Sequence, residues 1–207
     1  MIQFIRSTAA AIALGAIALG ITACAPANTN GGVAKSGTVI ASGTAAIGGP
    51  FVLKDTAGNT FTEKNLKGQP SLIYFGFSYC PDVCPTALQK MGALQEALGN
   101  SGEALQYIFI SVDTERDTPE SLAPYVTSRG FPKGLIGLSG TQAQMDEAVA
   151  AYRVYAQKVK DPQSAAEFTY DHSDLIIMMD SEGEFREIFT RDQSIDQISG
   201  RVKTLLN

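Results

Sequence analysis

Residues 71–77, Ser-Leu-Ile-Tyr-Phe-Gly-Phe, form a nearly continuous apolar run. A strand alternates its side chains between two faces, so a strand of this composition has to be covered on both. The run leads directly into Cys80-Pro-Asp-Val-Cys84-Pro, and a helix-like stretch over residues 84–98 follows. A buried strand passing through a short turn into a covering helix is the start of an α/β layer. The spacing of the two thiols is one helical turn, which places both on the same face at the helix N-terminus. Cα atoms one turn apart fall inside the roughly 4.4–6.8 Å that a disulfide spans. The positive end of the helix dipole favours thiolate there. Such a pair suits a reversible disulfide or a soft metal.

The ends of the chain bound where that chemistry takes place. Residues 1–23 carry a short positive region at Arg6, an apolar stretch from Ala9 to Gly20, and small residues before Cys24. The stretch is shorter than the roughly 20 residues a membrane span needs, which fits a cleaved signal. Ile21-Thr-Ala-Cys24 is similar to a bacterial lipobox, which implies that Cys24 is lipidated and becomes the new N-terminus. The alternative is an uncleaved signal anchor with Cys24 incidental. Both readings give an exported protein anchored on the periplasmic side of a bacterial membrane. Residues 24–48 are rich in Ala, Gly, Ser, Thr and Asn and read as a flexible tether spanning about 25–30 Å. Residues 49–207 then form one domain of ordinary size.

The chain holds 16 basic against 21 acidic residues, a net charge of −5, with no basic run. That leaves no footprint for nucleic acid. Export implies an oxidising compartment, where an accessible cysteine pair is a disulfide unless something reduces or occupies it. With Cys24 lipidated, Cys80 and Cys84 have only each other. The loop they close is too short to constrain the unfolded chain, so the pair reads as chemical rather than structural.

The remaining elements follow from local signals. Residues 51–53 and 60–62 flank Asp55-Thr-Ala-Gly-Asn59, a hairpin signal. Leu105 to Val112 reads as a second buried strand, and Thr118-Pro-Glu opens a helix with an N-cap and a proline at its first position. A short strand over Gly134–Leu138, a helix from Thr141 to about Tyr152, a hairpin of residues 175–180 and 185–189, and a closing helix over 194–206 complete the pattern. This order is that of a thioredoxin-like α/β domain, with the N-terminal hairpin and a segment around residues 134–160 as additions. In that fold the cysteine pair falls where the first core strand passes into its helix.

His172 is the chain's sole histidine and lies in Thr-Tyr-Asp-His172-Ser-Asp, just before the strand at 175–180. Thioredoxin-like oxidoreductases carry a cis-proline there, facing the cysteines; here a histidine takes the place. The competing reading is a half-buried histidine satisfied by Asp171 or Asp174. Two thiolates and an imidazole make a soft, three-coordinate set suited to Cu(I), or to Cu(II) with an added oxygen ligand. A catalytic zinc with an open position is the alternative; structural zinc would want a fourth protein ligand.

Four blocks in order, Gly49-Pro-Phe51, Tyr74-Phe-Gly-Phe-Ser-Tyr-Cys-Pro-Asp-Val-Cys-Pro-Thr86, Ser111-Val-Asp-Thr-Glu-Arg-Asp-Thr-Pro-Glu120 and Tyr170-Asp-His-Ser173, resemble the Sco/SenC family. The resemblance spans essentially the whole domain. It departs at Thr114, where proline is common, and at Ser181-Glu182 in the hairpin usually built on Pro-Asp. It implies a membrane-tethered, thioredoxin-like copper protein that helps assemble the binuclear copper centre of cytochrome c oxidase. The family's copper ligands fall on Cys80, Cys84 and His172. Asp113 falls in the family's acidic block, as a group behind the ligands, a nearby oxygen donor or a solvated carboxylate.

The function so implied is a copper chaperone whose exposed site passes copper to the oxidase copper-site subunit, or exchanges it with another periplasmic copper chaperone. The segment from Lys158 to Thr169 reads as a long loop that lets the His172 side open. Two other functions fit the same residues. One is a thiol–disulfide oxidoreductase acting on the oxidase cysteines, with Cys80 as the attacking thiol; the other is a copper or redox sensor.

Overall fold

The computed structural model describes residues 46–161 and 166–206. The leader, Cys24 and residues 25–45 of the tether lie outside the described residues, as do 162–165 and 207. Residues 46–48, read as the end of the tether, are already bonded to the domain. Arg153 Nε donates to the Ala46 carbonyl at 2.6 Å, and the Gly48 N–H donates to the Ala151 carbonyl at 2.9 Å. Among the described residues no helix is long and apolar enough to cross a membrane.

The expected hairpin forms from β1 (Val52–Asp55) and β2 (Thr60–Thr62), with the Asp55 carboxylate accepting from the Ala57 and Asn59 N–H groups across the turn. A short 3-10 turn (Glu63–Leu66), capped by Thr62 and Asn65, leads to β3 (Ser71–Gly76). Helix α1 (Val83–Leu98), the one-turn α2 (Asn100–Glu103), β4 (Gln106–Ser111), α3 (Pro119–Val126), β5 (Ile136–Ser139) and α4 (Gln142–Tyr152) follow. The chain ends with β6 (Ala156–Lys160), β7 (Phe168–His172), β8 (Leu175–Met179), β9 (Phe185–Thr190) and α5 (Ile195–Leu206). Thr118 and Thr141 cap α3 and α4 with reciprocal bonds from the residue at the third helical position, as the sequence pattern requires.

Seven strands form one sheet in the order β2-β1-β5-β4-β3-β8-β9. Its centre is parallel, β3 beside β4 and β4 beside β5, while β8 and β9 run antiparallel to close it. Every residue of β3 is buried, because the strand is covered on both sides. Tyr74 and Phe109 are paired and share a face; Phe109 packs on Tyr125 of α3, and Gly76 backs directly onto Cys84 of α1. Phe75 points the other way, onto Tyr152 of α4, which in turn meets Phe51. Helices α1 and α3 therefore cover one face, with α5 packed on α1, and α4 covers the other.

One element departs from the sequence reading. Residues 158–169 were expected as a long loop, yet β6 and β7 pair antiparallel into a separate two-stranded ribbon. His172 ends β7 and pairs with Ala156 instead of lying in a linker before β8. Alternation sets the ribbon's two faces. Phe168, Tyr170 and His172 share the inner face, and Tyr170 and His172 both pack on Phe77. Tyr155 and Val159 lie on the outer side and are exposed.

Candidate metal centre

The cysteine turn begins where β3 ends. Gly76 is required there: a Cβ would come within 2.9 Å of the Cys84 Sγ and of the Tyr74 ring. The Cys80 N–H donates to the Phe77 carbonyl at 3.3 Å, which folds residues 77–80 into a turn ahead of α1. Both thiols were expected on the helix; in the structure Cys80 precedes it and only Cys84 lies within it. Asp82 at the helix start makes no capping bond to the backbone. The Cys84 N–H instead donates to the Cys80 Sγ at 3.4 Å, so a sulfur takes a place normally filled by a capping oxygen.

His172 reaches the cysteines from the ribbon. Its Nε2 lies 3.3 Å from the Cys84 Sγ, and the Sγ atoms of Cys80 and Cys84 and a ring nitrogen of His172 all fall within 4.8 Å of one another. The His172 Nδ1 lies 3.1 Å from the Ser173 carbonyl. A carbonyl only accepts, so Nδ1 carries a proton and Nε2 is the ring nitrogen that faces the sulfurs. The imidazole is wedged edge-on between Tyr74 and Phe77, with centroids 6.1 and 5.8 Å away. Asp174 does not hold His172; it accepts from the Tyr74 hydroxyl at 3.0 Å.

Both thiols are free, and their proton affinities are pushed apart. Cys80 is held far below an ordinary thiol, at about 4, by hydrogen bonding from Cys84, against the cost of burial and with help from His172 and the Cys84 and Asp82 N–H groups. Cys84 is pushed upward because it shares its proton with the Cys80 sulfur and is buried. For His172 burial opposes protonation, but contacts with Cys80 and the Ser173 carbonyl outweigh it and raise its pKa. At neutral pH the pair holds one thiolate, on Cys80, and one thiol. The sequence reading took the site to be exposed. The structure buries both cysteines, Cys84 at 0% and Cys80 at 8% exposed, and leaves His172 half-buried.

Two carboxylates stand behind the cysteine turn. Asp113 is fully buried, which removes the solvated reading, and it is not among the three residues whose donor atoms converge. Its carboxylate accepts from the Arg116 Nε and, at 3.2 Å, from the Arg116 N–H. Asp117, which sequence reasoning passed over, is 1% exposed and pins the turn itself. It accepts from the Ser78 N–H at 2.8 Å and from the hydroxyls of Ser78 and Ser111. Its signal in the sequence was the second aspartate of Asp113-Thr-Glu-Arg-Asp117, a block read there for its first acid only.

The larger clefts lie elsewhere. One of about 880 Å³ borders Gly48, Tyr152 and Arg201; another of about 740 Å³ borders Gly92 and Gly130. A smaller groove of about 190 Å³ runs along Thr86, Ala87, Asp174 and Ile176, on the first turn of α1 and the start of β8. A set of two buried thiols and a half-buried imidazole can hold a soft ion, or cycle between dithiol and disulfide.

Comparison with known proteins agrees with this geometry. The sequence model of the SCO1/SenC family matches residues 40–207. The mitochondrial protein SCO1 of Saccharomyces cerevisiae is 40% identical over 167 residues, covering 78% of this chain and 56% of its own length. Protein SenC of Rhodobacter capsulatus is 36% identical over 203 residues, 98% of this chain and 89% of its own. The chain thus spans little more than half of the yeast relative. Among solved structures, copper-bound ScoI of Bradyrhizobium japonicum is 42% identical with a TM-score of 0.68, covering 77% of this chain and 99% of that one. Copper-bound ScoI of Arabidopsis thaliana is 38% identical with a TM-score of 0.71, covering 77% and 98%. The fold is thioredoxin-like, as the element order implied.

Proposed function

The chain belongs to the SCO1/SenC family, and we propose that it carries copper on Cys80, Cys84 and His172 and passes it to the copper-site subunit of cytochrome c oxidase. The observation that carries this reading is the convergence of two sulfurs and the imidazole Nε2 that faces them. Thiolate and imidazole are the donors that Cu(I) prefers, and three ligands leave it open to a fourth from a partner. Copper-bound structures of relatives with this fold support the assignment. The ion is cargo: this chain's residues bind it, with His172 held edge-on against Tyr74 and Phe77, and release it to the acceptor. Lipid attachment at Cys24 on the periplasmic side would keep the carrier near a membrane-bound acceptor.

A dithiol reductase of the acceptor's cysteines is the second reading, favoured by the split between a Cys80 thiolate and a Cys84 thiol. That split is the arrangement of an attacking and a resolving cysteine. His172→Ala separates the two, because it deletes a copper ligand and leaves both thiols. Oxidase assembly at limiting copper in cells carrying His172→Ala fails if delivery is the role, and added copper partly restores it by mass action. Normal assembly in that strain, with failure only in the Cys80→Ser and Cys84→Ser strains, would leave the reductase.

A further inference from the structure

The ribbon that brings His172 to the cysteines is not part of the central sheet, so something else must fix its distance from them. The inner-face aromatic contacts are with Phe77 and Tyr74, at the His172 end. At the other end, β7 begins with Phe168, and there a single guanidinium gathers three parts of the molecule. Arg116 Nε pairs with the fully buried Asp113, just beyond the end of β4. Its Nη1 donates to the Phe168 carbonyl at 3.2 Å and to the Ala166 carbonyl at 3.5 Å. Its planar head stacks 3.8 Å over the Phe168 ring and 4.7 Å over the ring of Tyr79, the residue next to Cys80.

We infer that Arg116 is a positioning residue of the metal site, a latch that ties the ribbon to the sheet end and the cysteine turn so that His172 is held against Cys80 and Cys84. This rests on the copper-carrier reading. The latch acts along β7: Phe168, Tyr170 and His172 lie at i, i+2 and i+4 of one strand, so tilting the Phe168 end swings the His172 end of the same face. A second tie at that end, among the described residues, is weaker. Lys158 lies over Phe168 and pairs with Glu115, but both side chains are largely exposed, and ion pairs of that kind contribute little. Lysine cannot replace Arg116, because a single ammonium paired with Asp113 could not at the same time reach the Phe168 and Ala166 carbonyls, and it has no planar face to set over the rings of Phe168 and Tyr79.

Arg116→Lys keeps the charge beside Asp113 and is the decisive variant; Arg116→Ala accompanies it where it folds. His172 is the chain's sole histidine, so its ring protons are identified without ambiguity in the reduced, metal-free protein. The wild type gives cross-relaxation between the His172 ring and the rings of Tyr74 and Phe77; Arg116→Lys weakens or abolishes it while the amide signals of the central sheet stay in place. Copper affinity by competition titration falls about 10- to 100-fold, the range seen when a group orienting a ligand is lost. In a His172→Ala background the same substitution changes affinity by less than about twofold, since two changes acting through one ligand are not additive. Unchanged ring contacts in Arg116→Lys, or an equal loss of affinity in both backgrounds, would overturn the latch. If His172→Ala alone left affinity intact, the ligand assignment would be what failed, and the metal-free ring contacts would still decide the latch.

Discussion

Replacing Asp117 by alanine strips the acceptor from three donors at once. The Ser78 N–H, 2.8 Å from the carboxylate, is fixed by the backbone and cannot turn elsewhere; stranding it in its half-buried place costs about 1–2 kcal/mol, the lower part of the range for a buried donor. The hydroxyls of Ser78 and Ser111 can rotate to other acceptors and recover part of their loss, so each adds about 0.5–1 kcal/mol. The sum is about 3 kcal/mol, a large share of the roughly 5–15 kcal/mol that holds a domain together. For a domain of this size it corresponds to a fall of roughly 6–12 °C in the unfolding midpoint. Asp117→Asn keeps one acceptor oxygen and should lose about half as much. Urea unfolding followed by circular dichroism measures both, with the slope unchanged because the buried area is the same. A loss below about 1 kcal/mol for Asp117→Ala would show that water or a neighbour replaces the carboxylate, and that it does not anchor the turn before Cys80.

Three further outcomes follow from the site. Because the Cys80 pKa lies at about 4, its alkylation by iodoacetamide in the reduced protein should be nearly flat from pH 6 to 8, with Cys84 unlabelled; a rate climbing about tenfold per pH unit toward 9 would mean an ordinary thiol. Gly76→Ala should cost about 1–3 kcal/mol by overpacking and weaken copper binding, since the new methyl lies 2.9 Å from the Cys84 Sγ, and a variant with wild-type stability and affinity would contradict that contact. Cys24→Ser should release the protein from the membrane fraction or leave it unprocessed, and mass spectrometry finding an intact Met1 on the wild type would favour the signal anchor.

What was legible in the sequence follows the range of the interactions that decide each feature. The runs 71–77 and 105–112 are apolar throughout, and being buried on both faces they announce themselves as central strands; both lie at the middle of the sheet. The caps at Thr118 and Thr141 involve residues three apart and were equally plain. The ribbon was not, because its strands are half-exposed and the pairing of Ala156 with His172 spans a segment that reads as loop. The alternation Phe168, Tyr170, His172 was its one local sign. The cysteine pair and His172 were singled out, the first by spacing and the second by its place in the fold. Asp113 was singled out with its role left open and Asp117 was passed over, since a carboxylate's burial depends on partners as distant as Ser78, 39 residues from Asp117. The helix over 84–98 was found to within a residue, but the sulfur that caps its first turn was not, because no sequence rule exists for it.

The central claim is that this chain holds copper through Cys80, Cys84 and His172 together. X-ray absorption of the Cu(I)-loaded protein tests it most directly, by counting the sulfur and nitrogen atoms around the ion in the wild type and in His172→Ala. The account predicts two sulfurs and one nitrogen in the wild type, with the nitrogen alone lost in the variant. The same coordination shell in both proteins, or a wild-type shell of sulfur only, would contradict it.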